Sequence, residues 1–297
     1  MPLLRIHHRT EYVYTRPVAF GEHRIMLRPR DGHDLRVLES RLDIVPEPMR
    51  LRWIHDVFGN SVAIATFDER ATRLTVTSEV TVEHNPEEEF ALTPDDPAYF
   101  YPFVYDIEEF PDLFQFITPQ YADPDGELSA WARNFLDAEA PTPTFKILSA
   151  MTHGIRDSFS YRKRHEQGTQ HPLDTLQTRS GTCRDYALLM IEGLRRLGIA
   201  ARFVSGYLFT GDDARHLGGG STHAWVQAYL PNAGWIEFDP TNGITGSRDL
   251  IRVAVARDPG QAIPLHGTYL GPAEAFIDMQ VDINVVSLDR EEMEAGV

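Results

Sequence analysis

The only cysteine of this chain lies in Arg179-Ser180-Gly181-Thr182-Cys183-Arg184-Asp185-Tyr186-Ala187-Leu188-Leu189-Met190, where a polar turn that contains glycine gives way to a helical pattern. Beyond Cys183, large apolar residues recur at steps of four, four and three: Tyr186, Met190, Leu194 and Leu197. This spacing predicts an amphipathic helix, and Gly198 is a typical stop signal. Cys183 therefore falls in the first helical turn, where unpaired backbone N–H groups and the helix dipole favour the nucleophilic thiolate. The same N–H groups can stabilise an oxyanion.

A nucleophilic thiolate needs a general base and a group that orients the base, and the downstream sequence supplies both. His223 opens an alternating segment, 223–230, that predicts a strand, and Asp239 ends a second one, 235–239. The residues between them, Pro231-Asn232-Ala233-Gly234, predict a turn and hence an antiparallel hairpin. Neighbouring strands lie about 4.8 Å apart, so a carboxylate on one strand can reach an imidazole on the next.

Several motifs together resemble the transglutaminase-like superfamily, in its bacterial cysteine-protease-like branch. They are Ser180 to Asp185, the segment Leu194 to Tyr207, His223-Ala224-Trp225, and Gly234-Trp235 with Phe238-Asp239-Pro240-Thr241-Asn242-Gly243. The resemblance implies an α+β fold whose papain-like transglutaminase core packs a cysteine-bearing helix on an antiparallel sheet, after an N-terminal all-β domain. It also implies that Cys183, His223 and Asp239 form a catalytic triad. Gln227 departs from the family pattern, because relatives often carry an acidic residue there, and this puts a substrate or supporting contact in doubt.

The composition excludes several other classes of protein. The chain has 297 residues and a formal net charge of −16, with 14 of its 44 acidic residues between positions 86 and 140, so nucleic-acid binding is not expected. No apolar stretch approaches the roughly 18 residues that span a membrane, and no leader-like run opens the chain, so we expect a cytoplasmic protein without a membrane partner. A single cysteine excludes an internal disulfide and a multi-cysteine metal site. No cofactor is expected, and the oligomeric state is left open.

Four segments are predicted along the chain. Residues 1–85 form a β domain with strands at 3–14, 37–45, 62–67 and 74–82, which resembles the N-terminal domain of the same bacterial branch. Residues 86–126 are rich in acids, prolines and aromatics, and are expected to be an ordered connector without regular helix or central strand. Residues 127–265 form the catalytic domain, which opens with helices at 127–138 and 144–157, the second capped by Thr144. Residues 266–297 add an edge strand and a frayed tail.

The neighbours of the cysteine offer further candidate residues. Tyr161 and Gln170 are donors that could complete an oxyanion hole, or they serve as loop and packing residues. Trp225 and Trp235 are expected to wall the site and keep water off the Cys–His pair, although core packing would give the same pattern. The glycine-rich loop 210–221 is either a flap at the cleft or the end of a surface hairpin. No metal site is expected, because Asp212-Asp213 is the only adjacent acidic pair near His223.

The function predicted from these residues is a thiol enzyme that forms an acyl-enzyme on Cys183 from the amide of a peptide or protein. Transfer to water makes it a cysteine protease or amidohydrolase, which is the favoured interpretation. Transfer to an amine makes it a protein-glutamine acyltransferase, and a non-catalytic binding or scaffold protein of the same fold is the remaining alternative. Water and amine share one acyl-enzyme, so the sequence leaves the acceptor open.

Overall fold

The computed structural model describes residues 2–86, 92–162, 168–209, 217 and 221–288. These residues form β1 (Leu3–Ile25), β2 (Leu35–Val45), β3 (Arg50–His55), β4 (Ser61–Thr66), β5 (Arg70–His84), β6 (Phe100–Tyr101), α1 (Phe110–Ile117), α2 (Glu127–Arg133), β7 (Thr142–Pro143), α3 (Thr144–Ser158), β8 (Ser160–Tyr161), α4 (Pro172–Thr178), β9 (Ser180–Gly181), α5 (Cys183–Arg196), β10 (Ala201–Leu208), β11 (His223–Leu230), β12 (Gly234–Asp239), β13 (Ile244–Thr245), β14 (Leu250–Ala256), β15 (Leu265–Leu270) and β16 (Phe276–Leu288). None of the helices described is long and apolar enough to cross a membrane.

The first 85 residues form an antiparallel sheet around the long strand β1, in the order β2-β5-β1-β4-β3. All four predicted strands are present; three lie within a few residues of their expected bounds, whereas β1 continues to Ile25 rather than ending near residue 14. In β5, Leu74, Val76, Val80 and Val82 are buried, because β-branched and aliphatic side chains on one face of a strand pack against the core. The all-β character expected of this region is therefore present.

The end of the chain returns to this N-terminal sheet. Strand β16 pairs with β1 from Leu3↔Leu288 to Tyr14↔Phe276, and β15 pairs with β1 from Ala19 to Ile25. The predicted C-terminal edge strand is thus confirmed, but its partner was not foreseen. Strands from both ends of the described chain therefore belong to the N-terminal sheet, and the segment between them in sequence forms the second sheet with its helices.

The connector contains a helix, which makes one prediction wrong. Helix α1 spans Phe110–Ile117 and buries Leu113 and Phe116, although prolines were expected to exclude regular helix there. Pro111 is tolerated because it lies in the first turn, where no backbone N–H is required. The connector is ordered where it is described, and Phe116 of α1 contacts Phe58 of the N-terminal region.

The region from α2 to β14 has the expected α+β architecture. Its sheet is antiparallel in the order β13-β12-β11-β10-β14, and α5 packs mainly on β11. The predicted hairpin is confirmed, with Val226 opposite Phe238 and a turn at Asn232 and Gly234, both with positive φ. Two helix details differ from expectation: α2 ends at Arg133 rather than near 138, and Pro143, not Thr144, occupies the cap position of α3.

Helix α5 is buried on nearly every side rather than amphipathic. Its predicted apolar face (Tyr186, Met190, Leu194 and Leu197) is buried, and the charged Glu192 and Arg195 on its other side are also buried. Glu192 pairs with Arg195 at 3.0 Å and accepts the Gln120 N–H from the connector at 3.1 Å. The connector therefore covers the side of the helix that the sequence pattern assigned to water, and a helix covered all round is a core helix.

Candidate active site

Cys183 is the first residue of α5, as predicted. Thr182 caps the helix: Asp185 N–H donates to the Thr182 hydroxyl, while Thr182 N–H donates to Asp185 Oδ2 at 2.8 Å. Asp185 Oδ1 also accepts the Gln170 N–H at 2.8 Å, so one buried carboxylate joins the helix start to the preceding loop. The T-x-x-D spacing at 182–185 is a variant of the capping box that could have been recognised in the sequence.

Two strands bring the histidine and the aspartate together. His223 is the first residue of β11 and Asp239 the last of β12, and His223 Nε2 lies 2.8 Å from Asp239 Oδ2. Both side chains are fully buried. The other carboxylate oxygen, Oδ1, accepts the Thr241 N–H at 2.8 Å, and Oδ2 also accepts the Asn242 amide at 2.8 Å. Neither Thr241 nor Asn242 was singled out from the sequence.

This environment favours a charged histidine–aspartate pair. Burial alone would lower the pKa of His223, but the charge and hydrogen bond of Asp239, together with Cys183, raise that pKa above its usual range. Burial would raise the pKa of Asp239, but the His223 charge and the hydrogen bonds from His223, Asn242 and Thr241 lower it. An imidazolium held by a carboxylate is the arrangement that stabilises a neighbouring thiolate.

Cys183 meets the free side of the imidazole. Since Nε2 is committed to Asp239, Nδ1 is the ring nitrogen open to the thiol, and it makes no well-aligned hydrogen bond to any residue the structure describes. The Cys183 side chain is close enough to the ring for its negative charge to raise the pKa of His223. Cys183 is buried, with 6% of the residue exposed. The structure thus brings Cys183, His223 and Asp239 into one chain of contacts.

Tyr161 reaches the cysteine, whereas Gln170 does not act there. Tyr161 lies in β8, which pairs in parallel with β9 just before Cys183, and its phenol is close enough to the Cys183 side chain to interact with it electrostatically. Burial raises the pKa of the Tyr161 phenol and negative charge on Cys183 raises it further, so the hydroxyl remains a donor. The Gln170 amide donates to Thr175 Oγ1 at 2.9 Å and to the Ser180 carbonyl at 2.6 Å. Its expected oxyanion role is therefore not supported, because both N–H groups hold the loop.

The two tryptophans differ in position. Trp225 is fully buried and stacks on His223, with ring centroids 6.0 Å apart and planes 27° apart, so it backs the imidazole and shields it from water. Trp235 lies at the other end of the hairpin, under the Arg202 guanidinium and against Phe116. The expectation that Trp235 walls the site is wrong, because the strand carries it away from Asp239.

Gln227, where the sequence departs from the family pattern, lies four residues along β11 from His223 and contacts neither Cys183 nor Asp239 through any hydrogen bond of the described residues. It is buried, its amide donates to Glu237 Oε1 at 2.9 Å, and it accepts from Arg202 Nε at 2.8 Å. An acidic residue at 227 would place a second carboxylate against Glu237. The neutral amide therefore suits this position, and the doubt about a substrate contact does not extend to the three site residues.

The glycine-rich loop 210–221 lies largely outside the described residues. Of residues 210–221, only Leu217 and Ser221 are described, so Asp212 and Asp213 lie outside the described residues. Within the described ranges, no group of three or more His, Cys, Asp or Glu side chains is arranged to hold a metal ion.

Comparisons with known proteins support the resemblance seen in the sequence. Residues 4–83 match the bacterial transglutaminase-like N-terminal region, and residues 130–240 match the transglutaminase-like superfamily. An uncharacterized protein of Mycobacterium leprae is 30% identical over 287 residues, which cover 94% of this chain and 98% of that protein. A protein-glutamine gamma-glutamyltransferase of Pseudomonas aeruginosa is 39% identical over 77 residues, 24% of this chain and 11% of that protein.

A solved structure extends the likeness to the fold. The crystal structure of a suspected cysteine protease from Cytophaga hutchinsonii aligns with a TM-score of 0.70 and 21% identity, over 97% of this chain and 91% of that one. At that identity the likeness shows the fold alone, and it spans both the N-terminal β region and the core.

Proposed function

The chain belongs to the transglutaminase-like superfamily, and we propose that it is a thiol enzyme that opens amide bonds through an acyl-enzyme on Cys183. One observation carries this proposal: a cysteine at a helix start contacts an imidazole whose far nitrogen is held 2.8 Å from a buried carboxylate. This geometry contains a nucleophile, a general acid and base, and a group that orients the base. A binding or scaffold protein has no need to keep all three in contact.

The residues define the reaction. The Cys183 thiolate attacks the amide carbonyl carbon, and the negative charge moves to the carbonyl oxygen, where the Tyr161 hydroxyl and the backbone N–H groups at the start of α5 can donate. The His223 imidazolium then gives its proton to the leaving amine as the C–N bond breaks, which leaves a thioester on Cys183. An incoming water or amine loses its proton to His223, and the thiolate departs. Asp239 orients the ring and stabilises its cation throughout.

Hydrolysis of a peptide or protein amide is the favoured outcome, and acyl transfer to an amine is the second candidate. The second is supported by the local similarity to a protein-glutamine gamma-glutamyltransferase, which covers about a quarter of this chain. Both outcomes need the same three residues, so only the acceptor separates them. The cytoplasmic location and the bounds of the four sequence segments stay predictions.

Alkylation of the single cysteine tests the nucleophile directly. Iodoacetamide should label Cys183 in the native protein faster than in an unfolded control at pH 6, because only the folded site pairs the thiolate with an imidazolium. His223→Ala should remove this advantage, whereas His153→Ala, a change on α3, should retain it. Equal or slower labelling of the native wild type would mean an inert buried thiol and would exclude the proposal.

The acyl acceptor and any metal dependence are tested on the same protein. Intact-mass spectrometry after incubation with peptides that contain glutamine or isopeptide bonds should show a thioester adduct on Cys183. Adding a primary amine then separates hydrolysis from transfer, since a transferase yields the amine-linked product. Activity is expected to be the same with and without EDTA at fixed ionic strength, and a loss restored by calcium would reveal a cation site.

A further inference from the structure

Asn242 makes three side-chain hydrogen bonds beside the proposed site. Its Nδ2 donates to Asp239 Oδ2 at 2.8 Å and to the Leu217 carbonyl at 3.1 Å, and its Oδ1 accepts the Leu217 N–H at 2.8 Å. The amide is thus joined on one side to the carboxylate that holds His223, and on the other to the backbone between β10 and β11. Asn242 lies just beyond the end of β12, in the turn closed by the Gly243 N–H to the Asp239 carbonyl at 2.8 Å.

The orientation of this amide follows from its partners. The Leu217 N–H can only donate, so the atom facing it must be the oxygen; the Leu217 carbonyl and the Asp239 carboxylate can only accept, so the atom facing them must be the nitrogen. In a flipped amide, the Asn242 oxygen would face two other acceptors, the Leu217 carbonyl and the Asp239 carboxylate. Both hydrogens of the Asn242 amide and its oxygen are therefore used.

In the described part of the chain, two side chains donate hydrogen bonds to the Asp239 carboxylate: His223 and Asn242. Oδ1 accepts the Thr241 backbone N–H at 2.8 Å, and Oδ2 accepts both His223 Nε2 and Asn242 Nδ2 at 2.8 Å. Rotation of the carboxylate about its Cβ–Cγ bond would break the contact with Asn242 and lengthen the contact with His223. The amide therefore holds the carboxylate plane in the orientation that the imidazole needs.

We propose that Asn242 is a positioning residue, which fixes the Asp239 carboxylate behind His223 and fastens Leu217 to the same point. This inference rests on the proposed function, because positioning matters only if the pair serves Cys183. Asn242 does not touch the nucleophile; its effect passes through Asp239. The charged and titratable groups that face the pair are Cys183 and Tyr161, and neither contacts Asn242.

The experiment measures the titration of His223 by NMR, with its signal assigned from the spectrum of His223→Ala. In Asn242→Ala, the pKa of His223 should fall by about one unit, a tenfold change in the protonation equilibrium, because a rotating carboxylate stabilises the imidazolium less well. A rise is what the simple removal of a competing donor would give, so a rise or no change would overturn the proposal. Asn284→Ala, an exposed asparagine on β16, is the matched control and should leave the titration unchanged.

A double-mutant cycle separates positioning from general loosening. In the Asp239→Asn background, Asn242→Ala should no longer move the His223 titration, since the carboxylate through which it acts is gone. An equal shift in both backgrounds would overturn the proposal. If Asn242→Ala does not fold, Asn242→Gln takes its place, because it keeps the amide but displaces it by one methylene, and the same downward shift is expected.

The outcomes also separate this inference from the proposed function. Rapid labelling of native Cys183 with an unmoved His223 titration in Asn242→Ala would keep the function and overturn the positioning role. An inert Cys183 with the expected shift would overturn the function and leave the Asn242–Asp239–His223 coupling in place.

Discussion

The Cys183 side chain interacts with the His223 imidazole and with the Tyr161 hydroxyl. They serve different stages of the proposed reaction. The imidazolium pairs with the thiolate before attack and supplies a proton afterwards. The hydroxyl can solvate the thiolate before attack and then donate to the oxyanion, because the carbonyl oxygen of a bound amide comes close to the sulfur that attacks it. The Tyr161 hydroxyl can thus stabilise the thiolate of the ground state or the oxyanion of the transition state. Only the second effect accelerates the reaction.

Tyr161→Phe should lower the rate of acyl-enzyme formation by about 10²-fold if the hydroxyl acts mainly on the oxyanion, because removal of one such donor costs about this much. The aromatic ring remains, so the melting temperature should change little. Intact-mass measurement of adduct formation gives the rate, and Tyr99→Phe, at a tyrosine whose ring packs against Phe100, is the control. Faster acylation in Tyr161→Phe would show instead that the hydroxyl mainly restrains the thiolate.

The site residues differ in how far the sequence could predict them. Cys183, His223 and Asp239 followed from residue type, order and the hairpin pattern. Asn242 did not, because its contacts with the Leu217 backbone form only after folding, whereas the capping role of Asp185 was readable from the T-x-x-D spacing. Trp235 was placed at the site because it is close to Asp239 in sequence, but four residues along a strand carry a side chain more than 10 Å away.

The cap of α5 links local sequence to the position of the nucleophile. Thr182 and Asp185 satisfy each other's backbone groups, and Asp185 also holds the loop through the Gln170 N–H. The first turn of the helix therefore sets where Cys183 stands relative to β8 and to His223. Helix α5 is also anchored by Arg184, whose guanidinium lies over the Phe203 ring at 4.7 Å and donates to the Pro259 carbonyl at 2.7 Å.

Thr182→Ala should lower the free energy of unfolding by about 1 kcal/mol, the usual cost of losing an N-cap side chain. Urea titration measures this loss. The iodoacetamide labelling rate should fall as well, since fraying of the first turn moves the sulfur away from the imidazole. Thr178→Ala, an exposed threonine at the end of α4, should change the unfolding free energy by less than about 0.5 kcal/mol. A stable Thr182→Ala protein with unchanged labelling would show that the cap does not position Cys183.

The prediction of helices and strands failed where contacts with distant segments of the chain overrode the local sequence pattern. The spacing of apolar residues gave the extent of α5 correctly, but it could not show that the connector would cover the polar side and pair with Glu192. The same connector holds α1, whose single proline was taken as evidence against a helix although its place in the first turn makes it compatible. Long-range pairing of β16 with β1 carries no local signal at all.

At the scale of the whole molecule, a partly buried chain of polar side chains joins the N-terminal β layer to the core sheet. Arg252 of β14 donates to Asp34 at 3.0 Å and to Glu237 of β12 at 3.0 Å. The other Glu237 oxygen, Oε2, has no hydrogen-bond partner in the described part of the chain, and burial raises the pKa of Glu237 despite the Arg252 charge that opposes this. Glu237 is only 4% exposed, and Arg252 therefore supplies most of the favourable interaction that offsets the burial of its carboxylate.

Arg252→Met should destabilise the protein by about 3–5 kcal/mol at pH 8, because it leaves Glu237 as an unpaired buried charge. The pKa of Glu237 is already raised in the folded state, and without Arg252 it should rise further. A carboxyl whose folded pKa is raised destabilises the fold increasingly as the pH rises from its unfolded pKa to its folded pKa, and it has no effect below the unfolded pKa, so the deficit should shrink as the pH falls from 8 to 5. Urea titrations at the two pH values measure the change.

Two further variants test whether Arg252 acts through the Glu237 carboxylate. Arg248→Met removes an exposed arginine four residues earlier in the chain, and it should have little effect at either pH. Adding Glu237→Gln to Arg252→Met should restore most of the lost stability at pH 8, since a neutral amide replaces the stranded charge and can still accept from Gln227. A deficit that is independent of pH and is not relieved by Glu237→Gln would mean that Arg252 acts through packing between the two layers rather than through the carboxylate.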